Sequence, residues 1–188
     1  SGLSNPFVIH ARKTAATFAP TKYTDMFFDD VKTLYDLADP ITHKMKVEQT
    51  YSDFRKGSKL SVELLSYAPL KNATVVDLDT AKPLTTSKQG TATMVKLEVP
   101  IENDKQSAHL RVNGSLTDVR YAVVNGELRF SRQMKGLRNT ILLPVGWEVS
   151  SISQSGTVGV YQGRAFVALV NLNSENGYKV AITGRMKN

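Results

Sequence analysis

The chain has 188 residues, with 24 Lys and Arg against 17 Asp and Glu, 41% hydrophobic and 22% charged residues, and no cysteine. A chain of this size buries roughly 70% of its unfolded surface, so a packed core is expected and wholesale disorder is not. The composition excludes disulfides, thiol nucleophiles and thiolate metal sites, and no run approaches the roughly 18 to 20 apolar residues of a membrane-crossing helix.

Residues 1–23 show no clear period, and Thr14-Ala15-Ala16-Thr17 with Ala19-Pro20-Thr21 reads as an extended N-terminal segment, a linker or a first edge strand. A sheet domain is expected over 24–188, with residues 117–120 as the place where a second unit could begin. Phe27, Val31, Leu34 and Ala38 recur at three- to four-residue spacing, which predicts one short N-terminal helix. Thr24 suits its N-cap, and Pro40 disfavours a helical Asp39.

From His43 the period changes to two. Met45, Val47, Gln49 and Tyr51 alternate with Lys44, Lys46, Glu48 and Thr50, as a half-buried strand requires. Arg55-Lys56-Gly57 reads as a turn into Leu60, Val62 and Leu64, so 43–66 is expected to form a hairpin. Further strands are expected at 72–78, 91–99 and 108–116, separated by turn-rich segments around Ala81-Lys82-Pro83 and Glu102-Asn103-Asp104-Lys105. Asn125-Gly126, between Tyr121-Ala-Val-Val124 and Glu127-Leu-Arg-Phe130, is the strongest local signal, because a two-residue hairpin turn needs positive φ at both positions. Strands at 139–143, 147–152, 157–161, 164–172 and 178–186 follow, with Gln162-Gly163 as a second tight turn. The pattern is mainly β and predicts an antiparallel β-sandwich of one or two packed units.

The sequence offers little that looks catalytic. The three histidines, His10, His43 and His109, are far apart and belong to no His-Glu-x-x-His pattern, so each is expected to be structural. Nucleophile elbow, P-loop and dinucleotide motifs are absent, and no cofactor is expected. Asp77 and Asp79 would face one side of a strand, where they could hold a cation or act as an acid/base pair, but a turn beside Asp79-Thr80 gives carboxylates a local backbone role. The densest basic cluster is Arg120, Arg129, Arg132, Lys135 and Arg138 around the Asn125-Gly126 turn. Guanidinium forks there could clamp a carboxylate or phosphate, or could serve as a solvated edge that discourages aggregation. Trp147, the single tryptophan, either fills the core or stacks on a sugar, with Tyr51, Tyr67, Tyr121, Tyr161 and Tyr178 as companions.

Asp77-Leu-Asp-Thr80, Gly126-Glu-Leu-Arg-Phe-Ser-Arg132, the Arg-Asn, apolar run and Leu-Pro-x-Gly-Trp pattern at 138–147, Gly163-Arg164 and the stretch 166–171 together resemble a group of uncharacterised exported bacterial β-sandwich proteins. The resemblance covers roughly residues 43–188. Ser131 stands where the group usually has an acidic residue, and Leu137 where it has a proline before the Arg-Asn pair. The resemblance implies an exported β-rich accessory or surface module, periplasmic or extracellular, with its leader removed; the opening Ser1-Gly2-Leu3-Ser4 fits a trimmed precursor or a cloning remnant.

The leading functional expectation is a non-enzymatic binding module that contacts a protein partner or cell-surface component through Arg132, Arg138, Asn139 and Trp147. A carbohydrate-binding module and a glycosidase or hydrolase built on Asp77 and Asp79 are the alternatives, and a glycan or anionic ligand fits the same residues. Nucleic acid is not expected, because the +7 surplus is spread along the chain rather than gathered into a basic stripe with stacking aromatics.

Overall fold

Residues 29–53, 59–64, 70–90, 92–102, 106–171 and 177–188 are described by the computed structural model. The N-terminal segment 1–23 and the start of the expected helix lie outside them. The rest of that helix is a strand, β1 (Asp29–Asp39). Its inward residues are Val31, Thr33, Tyr35 and Leu37, a period of two. Polar Thr33 hides that alternation, while Val31, Leu34 and Ala38 happen to match a helical spacing. What decides the conformation is pairing on both sides, since β1 lies between β2 (Lys44–Asp53) and β10 (Arg138–Leu142).

Among the described residues the chain is all strand and turn. It continues through β3 (Lys59–Leu64), β4 (Lys71–Asp77), β5 (Thr86–Gln89), β6 (Ala92–Ile101), β7 (Ala108–Thr117), β8 (Tyr121–Val124) and β9 (Glu127–Met134). After β10 come β11 (Trp147–Ile152), β12 (Thr157–Tyr161), β13 (Arg164–Val170) and β14 (Tyr178–Met186). Seven strands form one sheet in the order β12-β13-β10-β1-β2-β7-β4, four form β11-β14-β9-β8, and three form β3-β6-β5. Among the described residues the pairing is antiparallel with one exception: β1 and β10 run parallel, with Lys32 opposite Arg138 and Asp36 opposite Leu142. The expected hairpin over 43–66 does not form, because β2 pairs with β1 and β7 while β3 pairs with β6 in the small sheet.

One face of the seven-stranded sheet carries both smaller sheets. Tyr35 and Leu37 of β1, Met45 and Val47 of β2, Leu116 of β7, Ile141 of β10 and Val167 of β13 pack against Leu128, Phe130, Met134, Val180 and Ile182 of the four-stranded sheet. Further along the same strands, Val31, Tyr51, Leu110 and Val112 pack with Val75 against Val95, Leu97 and Ile101 of the three-stranded sheet. Leu70 touches both cores. Between them the shared face turns polar, with Gln49 Nε2 at 3.5 Å from the buried Thr33 Oγ1. Strands 108–117, 127–134 and 138–142, drawn from both sides of residues 117–120, all contribute to this double layer.

The Asn125-Gly126 turn joins β8 to β9 with φ of 51° and 78°, and Gln162-Gly163 joins β12 to β13 with 49° and 76°. Both are the left-handed turns whose twist matches that of the strands. Because a β-branched side chain is strained at such a φ, Gly126→Val is expected to lower unfolding free energy by about 1–2 kcal/mol in urea titration. Val124→Thr, on the outward face of the same hairpin opposite Glu127, should leave it nearly unchanged.

Candidate functional sites

The pleat divides the basic cluster expected to face a partner. In β9, Leu128, Phe130, Arg132 and Met134 all point inward, and Arg129 points out. Arg132 is only 7% exposed. Its Nη1 lies 3.0 Å from Asp118 Oδ2, and its guanidinium carbon is 5.6 Å from the centre of the Tyr35 ring. Asp118, in the turn between β7 and β8, also receives the Arg120 fork, Nε to Oδ1 at 3.0 Å and Nη2 to Oδ2 at 2.7 Å. One carboxylate therefore anchors a buried and an exposed guanidinium. Burial pushes the Tyr35 phenol up, with the Arg132 charge opposing.

Asn139 is 1% exposed, and its Nδ2 donates to the Lys135 carbonyl at 3.1 Å and to the Tyr178 hydroxyl at 3.0 Å, tying the turn before β10 to β14 of the opposite sheet. Trp147 opens β11 half-buried, packed on the larger core. Arg138 faces solvent, opposite Lys32 on one side and Val170 on the other. Of the four residues expected to form a contact surface, Arg132 and Asn139 are thus interior and Arg138 is exposed. The sequence expectation put Arg132 on a contact surface; the alternation Leu128, Phe130, Arg132, Met134 is the signal that could have placed it inside.

Removing a buried ion-pair partner strands the other charge, so Asp118→Ala, which takes the carboxylate from buried Arg132, is expected to cost about 3 kcal/mol in urea unfolding. A pH dependence follows from Asp118. Hydrogen bonding to Arg120 holds its carboxyl below the ordinary range against the effect of burial. A depressed folded pKa gives stability that is present above the unfolded value, near about 3.9, and lost as pH falls through the folded one. Arg120→Ala should therefore be less stable than the parent at pH 6, and the gap between their urea midpoints should shrink below about pH 4.

The expected carboxylate pair separates into two roles. Asp77, ending β4, accepts hydrogen bonds on Oδ1 from the backbone N–H of Asp79 at 2.8 Å and of Thr80 at 3.2 Å, which shapes the turn. Asp79 instead faces His109. His109 Nδ1 lies 3.0 Å from Asp79 Oδ2, and its Nε2 lies 3.0 Å from Ser107 Oγ. Ser107 and His109 lie two positions apart at the start of β7, on the same side, and the Leu78 N–H to His109 carbonyl bond at 2.8 Å holds the turn carrying Asp79 against that strand. A cleft of about 360 Å³ beside them is lined by Leu97, Val99 and Ile101 of β6. His109, expected to be an isolated structural histidine, is thus the centre of a Ser–His–Asp chain. His43 fits the structural expectation, its Nδ1 lying 2.7 Å from the Tyr121 carbonyl; His10 lies outside the described residues. No cluster of three or more metal-ligating side chains occurs among the described residues.

A third feature is the edge strand β12. Among the described residues nothing pairs with its outer side. From Ser153 to Gly163 the sequence has no charged residue and no proline. Val158 and Val160, opposite Val167 and Ala165, continue the inward face of the sheet but are 52% and 66% exposed. On the outward face the Phe166 ring lies over Gly159, so close that a Cβ there would come within 2.5 Å of it.

No protein-family model and no curated protein matches the sequence. Among solved structures, the M1 zinc metallopeptidase from Deinococcus radiodurans is similar with a TM-score of 0.52 and 10% identity, over 84% of this chain and 41% of that one. A variant of a two-domain M1 zinc metallopeptidase bound to L-arginine gives a TM-score of 0.52 and 9% identity, over 84% and 42%. The chain spans about two-fifths of the length of these structures, and the likeness is one of fold.

Proposed function

We propose that the chain is an exported interaction module whose β12 edge takes up an extended strand of a partner protein. The observation that carries this reading is an edge with which nothing pairs among the described residues. Sheet edges are ordinarily protected by charge, proline, bulges or cover, because their free N–H and C=O groups pair readily with another chain. β12 has neither charge nor proline across its whole length and offers exposed Val158 and Val160 on one face. An incoming strand would gain main-chain hydrogen bonds from the edge and side-chain specificity from the alternating valines.

Two further points support an accessory role. The fold is like about two-fifths of a larger solved enzyme, as an accessory unit would be. The resemblance to exported β-sandwich proteins supports location outside the cytoplasm. The sugar-binding alternative drew on the sandwich fold and on Trp147 with the tyrosines; Trp147 is half-buried against the larger core, and Tyr51 and Tyr121 are buried.

The test is selection of random nine-residue peptides on the immobilised protein, followed by hydrogen exchange. Enriched peptides should alternate apolar and polar residues, slow the exchange of amides 157–161, and lose binding to the Val158→Lys/Val160→Lys variant. Slowed exchange elsewhere, or undiminished binding to the lysine variant, would refute the edge as the docking site.

A further inference from the structure

We propose that Ser107, His109 and Asp79 form an acyl-transfer site that hydrolyses short-chain carboxylic esters. This inference rests on a different part of the molecule from the strand edge and goes beyond a binding role. Its basis is the assignment of the two imidazole nitrogens. Nδ1 meets the carboxylate at 3.0 Å and Nε2 meets the serine hydroxyl at 3.0 Å, the same division of roles that activates serine in unrelated hydrolase folds. With Nδ1 protonated and held by Asp79, Nε2 is left as the acceptor for the Ser107 proton. Ser107, just before β7, and His109, the second residue of that strand, are close enough in sequence to fix the first link, and the turn at residues 78–80 supplies the second from thirty residues away.

The chemistry balances without any cofactor. Ser107 Oγ attacks the ester carbonyl carbon while its proton passes to His109 Nε2. The C–O bond to the alcohol breaks, and the alkoxide leaves with the proton from Nε2, giving an acyl-serine. Water then gives a proton to Nε2 and attacks the acyl carbon, and Ser107 departs with that proton as the carboxylic acid is released. Asp79 stays ionised throughout and stabilises the transient imidazolium.

The cleft sets the substrate class. Its floor is Leu97 and Ile101, with Val99 at the rim, so the acyl chain meets hydrocarbon while the reacting carbonyl meets the Ser107 end. About 360 Å³ suits a short acyl group rather than a long lipid tail. The His109 and Asp79 side chains are 40% and 62% exposed, so solvent screens their interaction and the turnover is expected to be slow.

The experiment uses the full chain with p-nitrophenyl acetate and butyrate, together with a fluorophosphonate probe read by intact mass and peptide mapping. The expected result is a single probe adduct on Ser107, faster cleavage of butyrate than acetate, and about a 100-fold loss of cleavage in both Ser107→Ala and His109→Gln. The Val158→Lys/Val160→Lys variant should cleave the esters as the parent does, so failure here and failure of strand docking are read separately. Absence of an adduct on Ser107 in the parent protein would overturn the proposal, as would ester cleavage lost in His109→Gln but retained in Ser107→Ala, since that pattern is imidazole acting alone.

Discussion

The described strands depend on one shared face of the seven-stranded sheet, apolar under each of the two smaller sheets. The strands β1, β2 and β7 run about ten residues each, and their inward positions must serve two separate cores in succession. Leu37, Met45 and Leu116 belong to the core under the four-stranded sheet, whereas Val31, Tyr51 and Leu110 belong to the core under the three-stranded one. A one-residue slip would turn every one of these side chains to the opposite face, so the register of the long sheet is specified twice along its length. Thr33 and Gln49 occupy the interval between the cores, where neither cover sheet offers a full apolar surface.

The interior polar groups follow from the same geometry. A guanidinium in a sandwich core carries a desolvation cost of several kcal/mol unless it is paired. Arg132 meets that cost with Asp118 on one side and the Tyr35 ring on the other. Because Asp118 lies in the turn that carries the chain from the long sheet to the four-stranded one, the pair fixes the crossing point between the layers. Asn139 does similar work from β10, bonding Tyr178 across the sandwich. Residues that a linear reading assigns to a charged surface thus hold the two sheets in position.

Strand positions were legible where local chemistry determines them. The segments 147–152, 157–161 and 178–186 and the Asn125-Gly126 turn follow from alternation and from the φ demands of a two-residue turn. Partner choice was not legible. The sequence around Arg55-Lys56-Gly57 suggests that β2 and β3 pair, yet they enter different sheets, because β2 is claimed by neighbours on both sides whose positions depend on distant chain. β1 was misread for a related reason: its buried threonine breaks the apolar alternation, and only the flanking strands reveal it. At the candidate sites, Ser107 and His109 stand two positions apart in the sequence, while the arrival of Asp79 required knowledge of how β4 packs beside β7.

The single parallel pairing has a consequence for synthesis. β1 is the first described strand to leave the ribosome, but one of its two neighbours, β10, begins a hundred residues later at Arg138. Until that strand emerges, one flank of β1 presents open backbone groups beside an uncovered apolar face, and the larger core lacks Ile141 and Val167. Non-local closure of this kind folds slowly and leaves intermediates prone to sticking together.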